Sequence, residues 1–347
     1  MRAESLVLLC RPGFEKECSA EIIERLAGIG VAAYCRAGQG WVEVKAAAHW
    51  DALSACEVLR LRELIFTRDW FAGLPFCDLD PNDRLTPLLG MAQTLGPFTQ
   101  CWLQHVDTEE GRSVGRLGTR LRARVEGALQ SGQLIGAGAG VRLHILFLSG
   151  TEGFLGVSRV DNGALWSMGV PRLRLPGAPS RSAAKLEEAF LWFLGERAAR
   201  ELRAGMCAVD LGAAPGGWTW RMVQRGIRVK AIDRGALRAD LLESGLVEHL
   251  EADAFGYRPQ RRVDWMICDV VDKPARVADL VVHWFVNDWC RCCIFNLKLP
   301  MKQRYREVSI LLERILRRIG EQGVAVSCEA RQLYHDREEI TVFLRRC

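Results

Sequence analysis

Apolar and amphipathic segments alternate along the second half of the chain, from Ser180 onward. Short apolar runs predict buried strands, and apolar residues spaced three and four positions apart predict helices. Strands are predicted at 207–211, 229–232, 265–268, 293–296, 325–329 and 340–344, and helices at 182–200, 217–225, 275–286 and 302–319. This alternation is typical of an α/β fold with a mostly parallel sheet, helices on both faces and ligands at the carboxyl ends of the strands.

The first half has an α+β pattern. Strands are predicted at 5–10, 41–44 and 101–106, helices at 14–26 and 112–129, and a hairpin from 141–148 and 153–160. Residues 161–179 are rich in glycine and proline, which is typical of a connection between domains. We therefore expect a first domain over 1–160, a linker over 161–179 and an α/β domain over 180–347.

The composition of the chain excludes few classes of protein. The chain has 347 residues, 49% of them hydrophobic, with a net charge of +5, so it can form two cores and has a mild basic excess. The most apolar stretch, 278–299, is interrupted by polar and charged residues, which argues against a membrane span. The apolar run at 6–10 is followed at once by charges, unlike a signal peptide, so a cytoplasmic location is expected.

The thirteen cysteines predict free thiols in a reducing compartment rather than disulfides or a metal site. Cys290 and Cys293 have CxxC spacing, but no second pair follows at metal-binding spacing. We expect both to be small buried residues and expect no bound metal.

A glycine-rich turn connects the first strand of the α/β domain to a helix, in the sequence DLGAAPGG from Asp210. Glycines allow a sharp turn and a close approach to a ligand, and a helix start favours an anionic group. The run lacks the GxGxxG of dinucleotide folds and has Pro215 inside it. An adenosyl amino acid, whose carboxylate can meet the helix start, fits this turn better than a dinucleotide does.

Carboxylates stand at successive strand ends of the α/β domain. Asp233 follows the next strand about 20 residues beyond the turn, where it can accept hydrogen bonds from ribose hydroxyls. Asp253 could accept from an adenine amino group, and Asp269 lies beside the expected ligand crevice. One such aspartate is often a helix cap, but a set that includes Asp210 favours a cofactor site.

If the adenosyl amino acid is a methyl donor, a hydroxyl group that accepts the methyl needs a residue that takes up its proton. The sequence offers several residues for this role. Lys298 ends a predicted strand, Lys185 lies on the helix that opens the domain, and Glu338 and Glu339 precede the last strand. A buried lysine can act as a base when its surroundings lower its pKa. Taken singly, each lysine could equally be a solvated surface residue.

These segments together resemble the RlmM family, bacterial enzymes that methylate the ribose 2′-hydroxyl of a cytidine in 23S ribosomal RNA. The resemblance covers nearly the whole chain and is carried by LLCRPGFEKEC from Leu8, SRSAAKLEEAF from Ser180, DLGAAPGGWT from Asp210, CDVVDKPA from Cys268, FNLKLPMK from Phe295 and RQLYHDREE from Arg331. The segments around Lys185 and His335 are more specific than the glycine turn. One departure is Ala214, where the family often has cysteine.

The resemblance implies an N-terminal THUMP-type RNA-binding region followed by a Rossmann-like S-adenosylmethionine-dependent methyltransferase domain. It implies a catalytic tetrad of Lys185, Asp269, Lys298 and Glu339, with Lys298 as the proton acceptor; Glu339 is preferred to Glu338 because it directly precedes Ile340. The residues implied to contact the cofactor are Ser182, Ala214, Pro215, Gly216, Gly217, Asp233, Asp253 and Asp269.

An RNA substrate requires basic residues that contact its phosphates. The candidates are Lys302, Arg304 and Arg306 beside the expected base, and Arg112, Arg116, Arg120, Arg122, Arg124, Arg172, Arg174, Arg258, Arg261 and Arg262 elsewhere. A solvated helix face would explain the group at 112–124 equally well. We expect 23S ribosomal RNA as the partner and a monomeric chain.

Two other functions are compatible with this type of sheet. A catalytically inactive RNA-binding or ribosome-assembly factor would keep the fold, but the complete tetrad argues against it. An NAD-linked oxidoreductase would need the dinucleotide turn that this sequence lacks.

Overall fold

The computed structural model describes residues 3–47, 50–136 and 138–347. It divides into two compact units, Met1–Pro171 and Arg172–Cys347. The division falls inside the glycine- and proline-rich segment 161–179, at Pro171.

The first unit contains a seven-stranded sheet in the order β2-β3-β1-β4-β7-β6-β5. All of its neighbouring strands pair antiparallel except β5 and β6, which are parallel. Its strands are β1 Ser5–Cys10, β2 Ala33–Gly38, β3 Trp41–Ala46, β4 Thr67–Phe76, β5 Gln100–His105, β6 Val141–Phe147 and β7 Gly153–Arg159. Its helices are α1 Glu15–Gly28, α2 Ala52–Val58, α3 Leu85–Gln93 and α4 Glu109–Ser131.

Helix α4 is the longest helix of this unit and is amphipathic. Thr108 caps it by accepting a hydrogen bond from the Gly111 N–H at 2.9 Å. Its apolar face, which includes Val125 and Leu129, is buried in the unit's core. The helix also carries exposed arginines at Arg112, Arg116, Arg120, Arg122 and Arg124.

The second unit contains the predicted α/β sheet, with strand order β10-β9-β8-β11-β12-β14-β13. Strands β8 to β12 are parallel, and β14 runs antiparallel to both of its neighbours. The strands are β8 Cys207–Leu211, β9 Arg228–Ile232, β10 Val247–Leu250, β11 Val263–Cys268, β12 Cys290–Lys298, β13 Val326–Arg331 and β14 Glu339–Arg346. The helices are α5 Ser182–Ala189, α6 Ala198–Glu201, α7 Gly217–Val223, α8 Ala239–Glu243, α9 Pro274–Val286 and α10 Arg304–Gly320.

An aromatic cluster forms the core on one face of this second sheet. Trp265 of β11 is fully buried, with ring centroids 6.2 Å from Phe190 and 6.0 Å from Phe343. Its indole N–H donates to the Glu201 carbonyl at 2.8 Å, so its polar atom is also satisfied. Cys290 and Cys293 are buried in β12, as small core residues of the central sheet.

The prediction of one continuous helix over 182–200 is wrong. Helix α5 ends at Ala189, a π-helical segment spans Phe190–Leu194, and α6 begins at Ala198. Gly195 has φ 51°, a left-handed conformation that interrupts a right-handed helix and that glycine adopts readily. The sequence contained this signal, because glycine inside a helical pattern lowers its stability.

Strand β4, which lies in the centre of the first sheet, has no counterpart among the predicted elements. Its sequence TRDWFAGLPF begins with polar residues and contains Gly73 and Pro75, so it lacks a continuous apolar or alternating pattern. Gly73 is required by packing, since a Cβ there would lie 2.8 Å from the Leu155 carbonyl oxygen.

Among the described residues, no helix is both long and apolar enough to cross a bilayer.

We expect Trp265→Ala to destabilise the second unit by about 3–5 kcal/mol, because it removes a fully buried aromatic side chain and leaves a cavity. Urea denaturation of the full chain, followed by circular dichroism, measures this change. Val271→Ala is the control, since Val271 is 79% exposed and its truncation should change the free energy of unfolding by less than about 0.5 kcal/mol. Equal effects of the two substitutions would contradict the assigned core.

Candidate active site

Strand pairing brings two of the predicted catalytic residues together. Lys298 is the last residue of β12, Glu339 is the first residue of the antiparallel strand β14, and the two are register partners. Their side chains form an ion pair between Lys298 Nζ and Glu339 Oε2. Asp269 directly follows β11, the parallel neighbour of β12, so it lies at the same edge of the sheet.

Lys185 reaches this edge from helix α5. Its ammonium lies 2.9 Å from Glu339 Oε1, 3.5 Å from Asp269 Oδ1 and 3.8 Å from Asp336 Oδ1. Burial alone would lower the pKa of Lys185, but these three carboxyl groups outweigh burial and raise it above its ordinary value. Lys185 is therefore a buried cation at neutral pH.

Glu339 bridges the two lysines through its two carboxylate oxygens. Burial tends to raise the pKa of Glu339, but Lys185 and Lys298 lower it to about 2. The group is therefore ionised at any pH near neutrality. The neighbouring Glu338 is exposed and pairs with Arg304 at 2.9 Å, away from both lysines.

The two lysines differ in their access to solvent. The side chain of Lys298 is 35% exposed, whereas that of Lys185 is 8% exposed and is surrounded by carboxyl groups. Of the two lysines, Lys298 is therefore the one with greater access to solvent.

The glycine turn lies beside the start of α5. A Cβ on Gly217 would lie 2.3 Å from the Ser180 hydroxyl oxygen and 2.4 Å from that of Ser182, so glycine is needed for this close approach. Gly216 has φ 108°, and a Cβ there would lie 2.2 Å from Leu241 Cδ1. The turn therefore requires glycine at 216 for its backbone conformation, and an added Cβ would also displace the end of the Leu241 side chain.

Asp233, which directly follows β9, stabilises the glycine turn. Its carboxylate accepts from the Ala214 N–H at 2.9 Å and from the Gly235 N–H at 2.7 Å. Each carboxylate oxygen has two lone pairs, so these bonds leave acceptor positions for a ligand. Pro215, also in the turn, is exposed.

Asp253 follows β10, the edge strand next to β9, and is the most distant of the predicted residues in strand order. It is exposed, and its Oδ1 accepts from the Phe255 N–H at 3.2 Å. This hydrogen bond joins the Asp253 carboxylate to its own loop rather than to the glycine turn or to Lys185 and Lys298.

Asp210, the fourth carboxylate of the series, is fully buried at the end of β8. Its Oδ2 accepts from the Thr219 hydroxyl at 2.6 Å, while its Oδ1 is buried and has no hydrogen-bond partner among the described residues. Burial raises the pKa of Asp210 to about 7. A buried acceptor without a donor is costly, so Oδ1 suits a cationic or N–H donor on a ligand.

Three polar residues that sequence reasoning did not assign also lie in this network. Asn296 donates to Asp269 Oδ1 at 2.6 Å, and Thr341 contacts both Asn296 and Asp336. All three are buried. A signal was present for Asn296, because an amide inside the apolar strand FNLKL is unusual and has the same parity as Lys298.

A cavity of about 440 Å³ opens at the opposite edge of the second sheet. It is lined by residues at the amino ends of the parallel strands, including Cys207, Arg228 and Val263, together with Arg261 and Arg262. None of the predicted catalytic or cofactor residues lines this cavity.

Within the described residues, no group of three or more histidine, cysteine, aspartate or glutamate side chains is arranged to hold a metal ion.

Comparisons with known proteins agree with this architecture. Residues 3–71 match the RlmM ferredoxin-like domain, and residues 178–303 match the FtsJ-like methyltransferase family. The chain is 48% identical to ribosomal RNA large subunit methyltransferase M of Cellvibrio japonicus, over 98% of this chain and 99% of that protein. It is 47% identical to the protein of the same name from Stutzerimonas stutzeri, over 99% of both chains. The match at 3–71 describes a ferredoxin-like domain, and the THUMP-type region stays a prediction.

We expect Gly216→Ala to impair both folding and ligand binding at the turn. It places a side chain at φ 108° and against Leu241, so we expect a loss of stability of more than about 2 kcal/mol and weaker binding of S-adenosylmethionine. Thermal denaturation and equilibrium dialysis measure the two effects.

Gly205→Ala is the matched control, because Gly205 has φ 85° but nothing within 4 Å of an added Cβ. It should cost about 1–2 kcal/mol through backbone strain alone and leave binding unchanged. If Gly216→Ala behaved like this control, the close packing of the turn would not matter for the ligand.

Proposed function

Because the chain belongs to the ribosomal RNA large subunit methyltransferase M family, we propose that it methylates the ribose 2′-hydroxyl of a cytidine in 23S ribosomal RNA. Its cofactor is S-adenosylmethionine, as in methyltransferases of this fold. The observation that carries the catalytic assignment is the ion-paired cluster of Lys185, Asp269, Lys298 and Glu339 at the carboxyl edge of the sheet.

The residues around the glycine turn fit this cofactor. The unpartnered Asp210 Oδ1 suits the ammonium of its methionine part, and Asp233 has free acceptor positions for the ribose hydroxyls. Ser182, Ala214, Pro215, Gly216 and Gly217 would line its binding site along the turn. Asp253 would accept from the adenine amino group, which its exposed carboxylate at the loop after β10 permits.

When bound, S-adenosylmethionine supplies an electrophilic methyl group on a sulfonium centre. Lys298 then acts as the proton acceptor for the ribose 2′-hydroxyl. Its partial exposure lets the amine meet the ribose hydroxyl of a substrate.

The other three residues of the cluster hold the Lys298 amine in position through ion pairs. Glu339 holds the Lys298 amine at the edge of the site by ion pairing, and Lys185 holds the second oxygen of Glu339. Asp269, which contacts Lys185 at the same edge of the sheet, would also contact the cofactor. Alignment of the hydroxyl with the methyl group contributes a large part of the rate.

Basic residues near the cluster would bind the RNA backbone. Lys302 and Arg306 are exposed just beyond Lys298, and Arg304 is held by Glu338. The five exposed arginines of α4 form a second candidate surface on the first unit, consistent with phosphate contacts that carry no sequence information.

The remaining expectations follow from this function. Action on bacterial ribosomal RNA implies a cytoplasmic site of action, and a monomeric state stays a prediction. A catalytically inactive assembly factor is the alternative, and a methyl-transfer assay separates the two.

We expect Lys298→Ala to reduce methyl transfer to unmodified 23S RNA by about 10²–10⁴-fold, because it removes the proton acceptor. Binding of S-adenosylmethionine should survive. Transfer of a labelled methyl group, with mapping of the modified nucleotide, measures the rate and identifies the target.

The matched control for this experiment is Lys302→Ala, an exposed lysine four residues further on. It should raise the KM for RNA and leave kcat nearly unchanged. Near-normal turnover of Lys298→Ala would refute Lys298 as the base, and no transfer by the unaltered chain would favour the inactive assembly factor.

The pKa of about 7 at Asp210 predicts a pH dependence of cofactor binding. A protonated Asp210 cannot pair with the cofactor's ammonium, so affinity should rise as the pH increases from about 5.5 to about 7, by at most about tenfold per pH unit. Calorimetric titration with S-adenosylhomocysteine measures this slope. Asp210→Asn should weaken binding and remove the slope, whereas the exposed Asp253→Asn should keep it; an unchanged slope in Asp210→Asn contradicts the assignment.

A further inference from the structure

Two apolar side chains project into solvent near the catalytic cluster. Val271 is 79% exposed and Met301 is 94% exposed. Among the described residues, the large apolar side chain that comes next in exposure is Val58, at 62%. Single exposed apolar residues are ordinary on protein surfaces, so the position of these two decides whether they have a function.

Both side chains lie in loops that join a catalytic strand to the next helix. Residues 269–273, which begin with Asp269, connect β11 to α9, and residues 299–303, which follow Lys298, connect β12 to α10. Because β11 and β12 are parallel neighbours, the two loops leave the same edge of the sheet side by side. The apolar residues are two and three positions beyond the catalytic ones, at most about 7 and 11 Å away between Cα atoms.

Contacts of neighbouring residues hold the backbone of each loop. In the first loop, Val270 packs against the glycine turn, where a Cβ on Gly212 would lie 2.7 Å from Val270 Cγ2. In the second loop, the Leu299 N–H donates to the Glu338 carbonyl oxygen at 2.8 Å. The loops are therefore attached to the body of the unit, while one apolar side chain of each points into solvent.

An exposed lysine accompanies each apolar residue. Lys273 is the last residue of the first loop, and Lys302 directly follows Met301 in the second. A nucleotide combines an apolar base face with an anionic phosphate, so this pairing of side chains suits an unstacked RNA strand. Lysine is instead depleted in protein–protein interfaces. The pattern therefore favours RNA over a protein partner at these loops.

We propose that Val271 and Met301 contact the base of the nucleotide whose ribose is methylated, and that Lys273 and Lys302 bind the phosphates on either side. The base is attached to the ribose carbon next to the one that carries the 2′-hydroxyl. A ribose held at Lys298 thus places its base within reach of the adjoining loops. This inference rests on the proposed methyl transfer and adds the residues that hold the target base.

The kinetics of a double variant, Val271→Ala with Met301→Ala, give the first test. The double variant should lower kcat/KM for RNA about tenfold or more, because contacts with the face of a base contribute that much to binding. Met301→Leu keeps the apolar surface and should stay within about twofold of the unaltered chain. Ile310→Ala, a half-exposed apolar residue of α10, is the matched control and should leave kcat/KM unchanged. Circular dichroism checks the folding of each variant.

The salt dependence of RNA binding separates base contacts from phosphate contacts. The double variant removes no charge, so it should weaken binding without changing the slope of log affinity against log salt, whereas Lys273→Ala should reduce that slope by about 0.7–1. Filter binding of 23S RNA in the presence of S-adenosylhomocysteine measures both effects without turnover. Unchanged affinity of the double variant is the result expected if these loops docked a protein, and it would overturn the inference even if no methyl transfer were detected.

An RNA that lacks only the base of the mapped target nucleotide tests the contact itself. The unaltered chain should lose about tenfold in kcat/KM on this RNA, whereas the double variant should lose less than about twofold, because its contact with the base is already gone. Equal losses by the two chains would overturn the assignment of Val271 and Met301 to this base. Transfer by the unaltered chain to intact RNA would still establish methyl transfer in that case.

Discussion

Glu339 pairs with Lys185 through one carboxylate oxygen and with Lys298 through the other, and the geometry of the catalytic edge depends on this bridge. The lysines come from sequence positions more than a hundred residues apart, one on helix α5 and one at the end of β12. Removing a partner from a buried ion pair leaves an uncompensated charge, which is strongly destabilising. The bridge therefore holds α5 against the sheet edge as well as orienting Lys298.

Asp336 lies beside the charged cluster, with its Oδ1 3.8 Å from Lys185 Nζ. Lys185 and Lys298 supply two positive charges, and Asp269 and Glu339 supply two negative ones. Burial raises the pKa of Asp336, Lys185 acts in the opposite direction, and Glu339 and Glu188 add to the effect of burial. The pKa of Asp336 is raised by burial, whereas the pKa of Glu339, only three residues away, is lowered to about 2 by Lys185 and Lys298 against the effect of burial.

Sequence reasoning predicted the parts of the site that depend on local pattern. The strand before the glycine turn was predicted at 207–211, where the structure has β8, and the positive φ of Gly216 agrees with the prediction of a sharp turn. Asp269 and Lys298 were predicted to lie at one edge of the sheet because parallel strands present their carboxyl ends there, and the structure places both at that edge. The unpartnered oxygen of Asp210 and the hydrogen-bond partners of Asn296 could not be predicted in this way, since they depend on which atoms lack or find a partner after packing.

The antiparallel direction of β14 explains why so much of the site comes from one short segment. A parallel last strand would place its first residue at the amino edge of the sheet, far from Lys298. Because β14 runs the other way, its first residue, Glu339, and the turn before it lie at the carboxyl edge. The turn between β13 and β14 therefore contributes both the bridging carboxylate and Asp336, while the next inward-facing position, Thr341, meets Asn296 across the pair. One reversal of strand direction thus connects the bridge between the lysines to the hydrogen bonds that run from Thr341 through Asn296 to Asp269.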